Sequence, residues 1–317
     1  MSEKYPIDFV VTWVDGNDPV WQAEKAKYSP NKNADNRNVR FRDWDNMQYW
    51  FRAVEKFAPW VNKVHFVTYG HLPKWLNTNN PKLNIAKHSD FIPKEYLPTF
   101  SSQPIELNLH RIKGLAERFV YFNDDMFLLR PVKRELFFAG KDCLPTDFAI
   151  TSTISTTTKE DMMPFIKLNC VTILNGHFDK KEQMKKHFSK WVNLAYGWNA
   201  LRNLIFYGQH RFKGFANNHL AFSFLKSEYE DIWEKEYEAL ADTSSHKFRS
   251  KLDLDNWLIR YWQLTRGNFY PIGRHVKGKV YEIYNGVEQN QELFKVIENQ
   301  TMPMICINDN DNVDFEP

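Results

Sequence analysis

Acidic and amide side chains follow three apolar segments of the chain, where each segment is expected to end. They are Asp15 after residues 7–14, the pair Asp124 and Asp125 after residues 119–122, and Asn308 with Asp309 after residues 304–307. Ligands of an open α/β sheet bind beyond the carboxyl ends of its strands, so these side chains could converge there. Oxygen ligands of this kind suit Mg²⁺ or Mn²⁺ holding a diphosphate. Adjacent carboxylates repel each other without a cation, which favours function for Asp124 and Asp125, whereas Asp15 fits an ordinary turn equally well.

Basic residues lie close to two predicted helices. Arg40 and Arg42, followed by Asp43, precede the first of these helices. Guanidinium groups beside the free N–H groups of a helix start make an anion site, although loop charge alone also explains them. His110 and Arg111 lie on the helix before the fourth predicted strand. Either residue could face the carboxyl end of the sheet, or His110 could be a packed residue.

His219 is the general-base candidate favoured by its sequence context. It lies in a polar, turn-rich segment, residues 215–219, and a neutral imidazole near pH 7 can accept a hydroxyl proton. A single histidine is more often structural, and Arg249 could bind a phosphate or simply solvate a loop. The chain has no P-loop, no GxGxxG and no HExxH, which weakens kinase, dehydrogenase and zinc-protease interpretations.

The elements that must position these residues follow from hydrophobic patterning. Strands are predicted over residues 7–14, 64–68, 83–86 and 119–122, with a helix from about residue 43 to 57 and another carrying Pro104 and Glu106 in its first turn. Strands that alternate with helices predict a largely parallel α/β sheet. Residues 155–270 have helical spacing, and residues 304–307 are predicted to return to the sheet as a late strand. We therefore expect a catalytic core of residues 1–150 and 300–317, with residues 151–299 as a mostly helical insertion or lid.

Composition narrows the class of protein. The 317 residues include 43% hydrophobic and 16% aromatic side chains, enough for a large core. The net charge of +3, from 42 basic and 39 acidic residues, argues against nucleic acid as the main partner. Three separated cysteines favour a reducing compartment, and the sequence has no apolar stretch long enough to span a membrane, so a cytoplasmic protein is expected. The basic segment 180–187 is interpreted as a solvated face, with membrane-surface contact as the alternative.

Motifs along nearly the whole chain resemble the conserved blocks of the Stealth family. The first block is Ile7 to Gly16. The second runs through Arg40-Phe41-Arg42-Asp43, Pro59-Trp60, Val67-Thr68, Pro73-Lys74-Trp75-Leu76, His88-Ser89-Asp90, Leu97-Pro98-Thr99-Phe100, Ile105-Glu106, Leu109-His110-Arg111-Ile112 and Tyr121-Phe122-Asn123-Asp124-Asp125. The third, looser block contains His219, Phe248-Arg249 and Asp253, and the fourth is Cys306-Ile307-Asn308-Asp309.

The resemblance implies an enzyme that transfers a hexose-1-phosphate from a UDP-sugar to a glycan hydroxyl, with a divalent metal, in bacterial cell-surface polysaccharide synthesis. It implies a glycosyltransferase-like nucleotide-binding α/β sheet. The expected metal ligands are Asp124, Asn308 and Asp309, and the expected catalytic residues are His219, Asp125 and Arg249. Substrate-binding roles are expected for Trp13, Asp15, Arg40, Arg42, Asp43, His110 and Arg111.

Expected partners are a UDP-sugar donor, Mg²⁺ or Mn²⁺, and a glycan acceptor; whether the acceptor is lipid-linked and the enzyme peripheral to the inner face of the membrane is left open. One rival is a conventional glycosyltransferase that releases UDP. Another is a non-enzymatic carbohydrate-binding protein with aromatic stacking platforms.

Overall fold

The computed structural model describes residues 5–29, 44–156, 158 and 161–309. Its strands are β1 Ile7–Thr12, β2 Val64–Thr68, β3 Leu83–Lys87, β4 Arg118–Phe122, β5 Met126–Leu128, β6 Phe138–Ala139, β7 Leu144–Asp147, β8 Phe222–Leu225, β9 Tyr270–Pro271, β10 Gly278–Glu282 and β11 Met304–Asn308. Its α-helices are α1 Pro19–Tyr28, α2 Met47–Phe57, α3 His88–Phe91, α4 Ser102–Leu107, α5 Met163–His177, α6 Lys180–Lys186, α7 Phe188–Trp191, α8 Asn199–Ile205, α9 Lys226–Lys235, α10 Tyr237–Ser245, α11 Asn256–Thr265 and α12 Gln291–Asn299.

The main sheet has five strands in the order β3-β2-β1-β4-β8. The first four of these strands are parallel, and β8 runs antiparallel to β4. The four strands predicted from the sequence are thus present within a residue or two of the expected bounds. The prediction of a mixed α/β fold with a largely parallel sheet is confirmed.

Each face of this sheet is covered by its own apolar core. Val10 and Tyr121 face a core built with the helices of residues 163–265, whereas Phe9 and Phe122 face the core that contains α2. Side chains alternate between the two faces of a strand, so a strand covered on both sides has a nearly continuous apolar sequence. This double coverage explains why β1 and β4 lack the polar alternation of a half-exposed strand.

A second sheet joins the main one close to the predicted carboxylates. It has the order β10-β11-β5, with β11 antiparallel to β5 and parallel to β10. The late strand predicted at residues 304–307 therefore exists, but the expectation that it returns to the main sheet is wrong. An apolar run identifies a buried strand without identifying its partner, and here the partner is the three-residue β5.

Residues 151–299 differ in part from a purely helical insertion. They contain α5 to α12, and the predicted helical residues Tyr229, Trp233 and Trp257 are buried. They also supply β8, the fifth strand of the main sheet. The division into a core and a lid stays a prediction, with β8 as a direct connection between the two parts.

Two helix boundaries also differ from the expected ones. Helix α2 begins at Met47, with Asn46 in the capping position, and Asp43 lies outside the described residues. Helix α4 ends at Leu107 and continues as a short 3₁₀ turn at Leu109–Arg111. Among the helices in the described ranges, none combines the length and the apolar character needed to cross a bilayer.

Candidate active site

The carboxyl ends of the parallel strands meet at one edge of the main sheet. The hydroxyl groups of Thr12, the last residue of β1, and Tyr121 on β4 are 3.1 Å apart there. Strand β8 is antiparallel to β4, with Phe222 opposite Tyr121, so β8 begins at the edge where β4 ends. For this reason His219, just before β8, reaches the residues just after β4.

His219 and Asp125 form the central contact of this edge. His219 Nε2 lies 3.3 Å from Asp125 Oδ2 and 3.5 Å from Asn123 Nδ2. The His219 side chain is 41% exposed, which leaves the ring open to a ligand. Partial desolvation lowers the pKa of His219, but the hydrogen bond and negative charge of Asp125 raise it, and the pKa ends above its ordinary value.

Cys306 on β11 completes a group of three metal-type ligands. Its thiol donates to Asp125 Oδ2 over 3.2 Å, and single ligand atoms of Asp125, His219 and Cys306 lie within 4.8 Å of one another. Burial first, and then the charges of Asp125 and Asp124, raise the pKa of the Cys306 thiol far above its usual range. Without a cation, Cys306 is therefore a neutral hydrogen-bond donor to Asp125.

An unsatisfied carboxylate oxygen marks where a cation would fit. Asp125 Oδ1 is buried and has no hydrogen-bond partner among the described residues. An orphaned buried anion is costly, and a bound cation offsets that cost. In the β5–β11 register Met304 pairs with Leu128 and Cys306 with Met126, so continuing it by two residues sets Asn308 opposite Asp124.

The candidate ligands of this edge fall into two chemical classes. The oxygens of Asp124, Asn308 and Asp309 have the hard chemistry that Mg²⁺ and Mn²⁺ prefer, whereas a nitrogen and a sulfur from His219 and Cys306 suit softer ions such as Zn²⁺. Asp309 Oδ2 accepts a hydrogen bond from Trp44 Nε1 at 3.1 Å, which orients this carboxylate. The residues present therefore fit a divalent cation at this edge.

A buried ion pair holds the segment that carries His219. Arg260 on α11 binds Asp147 with two hydrogen bonds, Nε to Oδ2 at 2.8 Å and a terminal nitrogen to Oδ1 at 2.7 Å. Its other terminal nitrogen donates to Asn217 Oδ1 at 2.6 Å. Arg274 Nε donates to Asn218 Oδ1 at 3.0 Å. The two residues before His219 are thus fixed by arginines from separate elements.

A cleft of about 290 Å³, including space open to solvent, lies beside this segment. Its lining includes Asp147, Asn218, Arg274 and Lys277. Lys277 is buried, and burial lowers the pKa of its ammonium group to about 8. The cleft adjoins the His219 segment, and its walls carry more positive than negative charge.

Glu106 connects the predicted Arg249 to the edge of the sheet. Glu106 is buried and accepts a hydrogen bond from the Tyr121 hydroxyl at 3.3 Å. Burial raises the pKa of Glu106, while the Arg249 charge opposes that rise; the negative charge of Glu106 in turn raises the pKa of His219. A terminal nitrogen of Arg249 donates to Ser102 Oγ at 3.2 Å, and its Nε is buried with no partner among the described residues. Glu106 is thus close enough to interact electrostatically with both Arg249 and His219.

A second buried carboxyl group, that of Asp255, lies close enough to Glu106 to interact with its charge. Asp255 caps α11, and its Oδ1 accepts from the backbone N–H of Trp257 at 3.0 Å. Burial, and next the nearby charge of Glu106, raise the pKa of Asp255 to about 7. Cys170 donates to Asp255 Oδ1 and Lys167 lies close enough to oppose the shift, both from α5.

Two predicted substrate-binding residues lie at the end of β1 and already have protein partners. Trp13 stacks on Phe66, with ring centroids 5.5 Å apart, and is almost fully buried. The backbone N–H of Asp15 donates to His71 Nε2 at 2.8 Å, and Asp15 Oδ1 closes a turn by accepting from the N–H of Asn17. Both residues lie at the carboxyl edge of the sheet, and their binding roles stay predictions.

Two other predicted residues lie elsewhere. His110 is buried between the rings of Tyr229 and Trp233, and burial lowers its pKa to about 3. Arg111 lies over the Trp233 ring at 4.7 Å. Of the two interpretations of His110, a residue facing the sheet edge or a packed residue, the structure has the packed one. The 3₁₀ turn after α4 directs the His110 side chain towards α9. Arg40, Arg42 and Asp43 fall outside the described residues.

Several residues of the site were not predicted as functional. Cys306 and Glu106 lie within the family blocks quoted from the sequence, and that membership was the available signal. The pairing of Arg260 with Asp147 joins positions 113 residues apart, and no local pattern could predict it.

Comparison with known proteins agrees with the sequence blocks. Residues 5–33 match the profile of Stealth protein CR1, conserved region 1, and residues 40–144 match Stealth protein CR2, conserved region 2. The chain is 42% identical to a capsular polysaccharide phosphotransferase WcwK of Streptococcus pneumoniae, over 99% of this chain and 92% of the relative. It is 41% identical to the receptor polysaccharide phosphotransferase WefC of Streptococcus gordonii, over 100% and 93%.

A third relative is the exopolysaccharide phosphotransferase cps2G of Lactiplantibacillus plantarum, 40% identical over 97% of this chain and 88% of the relative. Among solved structures, the galactosyltransferase LgtC in complex with donor and acceptor sugar analogs aligns over 95% of this chain and 86% of its own. Its TM-score is 0.36 at 10% identity, too low to carry an argument. The sequence relatives match nearly full length at about 40% identity, and on that ground the chain belongs to the Stealth family.

Proposed function

We propose that this protein transfers a hexose-1-phosphate from a UDP-sugar to a hydroxyl group of a glycan acceptor in cell-surface polysaccharide synthesis. The observation that carries the proposal is the contact of His219 with Asp125 at the carboxyl edge of the sheet, in a chain whose near-full-length relatives are named polysaccharide phosphotransferases.

The proposed reaction forms one P–O bond and breaks another. The acceptor oxygen attacks the phosphorus bonded to the sugar, and the bridging oxygen of the diphosphate leaves with UMP. The acceptor proton passes to Nδ1 of His219, the ring nitrogen that does not face Asp125, and the product is a phosphodiester between two sugars. Transfer of this type depends mainly on positioning and charge neutralisation, since the phosphoryl group itself needs little covalent assistance.

Each residue of the edge has a defined part in this proposal. Asp125 orients His219 and stabilises the imidazolium that forms when the proton arrives. Asn123 restricts the same ring through its amide group. The charge of Glu106 interacts with both Arg249 and His219, so Arg249 acts as a positioning residue here. A divalent cation, Mg²⁺ or Mn²⁺, held by Asp124, Asn308 and Asp309, would neutralise the charge of the diphosphate.

The proposed acceptor is a glycan carried on a lipid, with the enzyme at the inner face of the membrane. Support comes from the basic segment 180–187, whose exposed lysines can contact anionic headgroups.

A screen of UDP-sugars with Mg²⁺ and an isolated glycan acceptor tests the reaction. We expect one donor to yield UMP in an amount equal to the transferred sugar. Release of UDP would instead identify a conventional glycosyltransferase, and nucleotide-sugar binding without any release would indicate a binding protein. His219→Ala, purified in parallel, controls for contaminating hydrolases because it should lose the transfer activity.

A further inference from the structure

Six large apolar side chains are exposed within a short stretch of the helical part. They are Phe188, Leu194, Trp198, Leu201, Leu204 and Ile205. Leu194 is 97%, Trp198 86% and Ile205 77% exposed. Scattered exposed apolar residues are ordinary, whereas a concentration of this kind marks an interaction surface. We refer to residues 188–205 as the apolar surface.

Helix α8, the centre of the apolar surface, has its amphipathic pattern inverted. Its buried residue is Asn203, whose amide donates to the carbonyl of Ala149 at 2.6 Å and whose Oδ1 accepts from the N–H of Thr151 at 2.8 Å. Leu201 and Ile205 point outward instead. A helix that packs only against its own protein buries leucine and exposes asparagine. Its outward face therefore suits an apolar partner.

Positive charge surrounds the apolar surface. Residues 179–213 contain eight lysines and arginines against two acidic residues, a net charge of +6 in a chain whose total is +3. Lys185, Lys186 and Arg202 are exposed. Lys180 ties the basic helix α6 to the end of α8, because its ammonium group donates to the carbonyl of Phe206 at 2.7 Å. The cations and the apolar side chains thus belong to one surface.

We propose that this surface docks on an anionic lipid bilayer, with Trp198 at the level of the headgroups. Apolar side chains that enter the acyl boundary, an indole at the interface and lysines that reach anionic headgroups together match a bilayer. The basic surroundings argue against a second copy of the chain, since two such surfaces in contact would repel each other.

The apolar surface is connected to the active site through direct contacts. A Cβ atom on Gly273 would meet the carbonyl oxygen of Ala195 at 3.0 Å, so these two segments are in close contact. The next residue, Arg274, binds Asn218, which precedes His219. Docking therefore keeps His219 close to the bilayer, where a lipid-linked acceptor would be presented. The presentation of a lipid-linked acceptor to His219 rests on the proposed function, whereas the docking on the bilayer does not.

Co-sedimentation of the full chain with vesicles tests the proposal without any turnover. The vesicles are phosphatidylcholine alone or with about one third phosphatidylglycerol, at low and physiological salt. We expect binding to the anionic vesicles that weakens with salt. Lys185→Gln with Lys186→Gln should weaken binding about 25-fold, about fivefold for each cation, and Trp198→Ala with Ile205→Ser at least tenfold.

A matched control variant and a folding check separate loss of docking at the apolar surface from a general loss of exposed apolar side chains or of folding. Val287→Ser with Leu252→Ser removes equally exposed apolar side chains elsewhere, and it should bind like the wild type. Circular dichroism checks that every variant is folded. Three results would overturn the proposal: no binding to anionic vesicles at low salt, equal loss in the control pair, or a dimer that Trp198→Ala disperses in the absence of lipid. UMP release with a water-soluble acceptor is measured separately, so failure of docking is distinguishable from failure of phosphotransfer.

Discussion

Replacement of Arg260 by methionine should destabilise the protein and disorder the His219 segment at the same time. The Arg260 side chain is 1% exposed and Asp147 10%, so the substitution leaves a buried carboxylate without its partner. Breaking such a pair costs about 3–5 kcal/mol. With an unfolding entropy of about 2.1 cal/mol/K per residue, the melting temperature of a chain of 317 residues falls by about 4.5–7.5 °C.

A double variant separates stability from positioning. Arg260→Met with Asp147→Leu removes both charges and should recover most of the lost melting temperature, since an apolar pair can replace a buried ion pair. It should not recover kcat, because Asn217 still lacks the donor that holds it at 2.6 Å, two residues before His219. Differential scanning fluorimetry and steady-state kinetics measure the two effects.

An exposed pair provides the control for this experiment. Lys279 and Glu292 form an ion pair at 2.7 Å with half or more of each side chain exposed, and Lys279→Met should cost less than about 1 kcal/mol. A melting temperature of Arg260→Met within a degree of wild type would refute the assigned role of the buried pair. So would a double variant that recovers both stability and full kcat.

Three further outcomes are expected. His219→Ala should lower kcat by about 10²–10⁴-fold with little change in donor affinity, measured by calorimetry with UDP-sugar; parallel loss of donor binding would make His219 a ligand-positioning residue. Asp124→Asn, nearly isosteric, should abolish turnover without a change in melting temperature, and excess chelator should do the same to the wild type; full activity in either case contradicts the metal assignment. Asp255→Asn should raise the melting temperature at pH 8 but not at pH 4. The folded protein holds the Asp255 proton up to a pKa of about 7, so stability is lost as pH rises from about 4 to 7, and the amide removes that loss. A difference in melting temperature between Asp255→Asn and the wild type that does not depend on pH would contradict the burial of a charge at Asp255.

The sequence was sufficient for the parts of the fold that depend on local pattern. Strands β1, β2 and β4 are continuous apolar segments that end at polar turns, and the carboxylates that follow β1 and β4 were expected at one edge. Asp125 lies at that edge, with its Oδ2 3.3 Å from His219 Nε2. These features are local, because a strand end and the residue after it are adjacent in the chain.

The parts that could not be predicted depend on distant pairing. Strand β8 has only four residues in a region of helical spacing, and its antiparallel pairing with β4 is what delivers His219 to Asp125. The pairing of β11 with β5, which supplies Cys306, is equally non-local. His110 was expected to bind substrate because it lies in a motif of the sequence. The turn that follows α4 instead buries its side chain between two aromatic rings.

The central claim is that the sugar is transferred together with its phosphate. A UDP-sugar labelled with ³²P at the phosphorus bonded to the sugar, incubated with enzyme, Mg²⁺ and acceptor, tests it directly. We expect the label to appear in the glycan product, resistant to phosphatase as a diester, while the released UMP is unlabelled. Label in UDP, with a glycan product free of phosphorus, would contradict it.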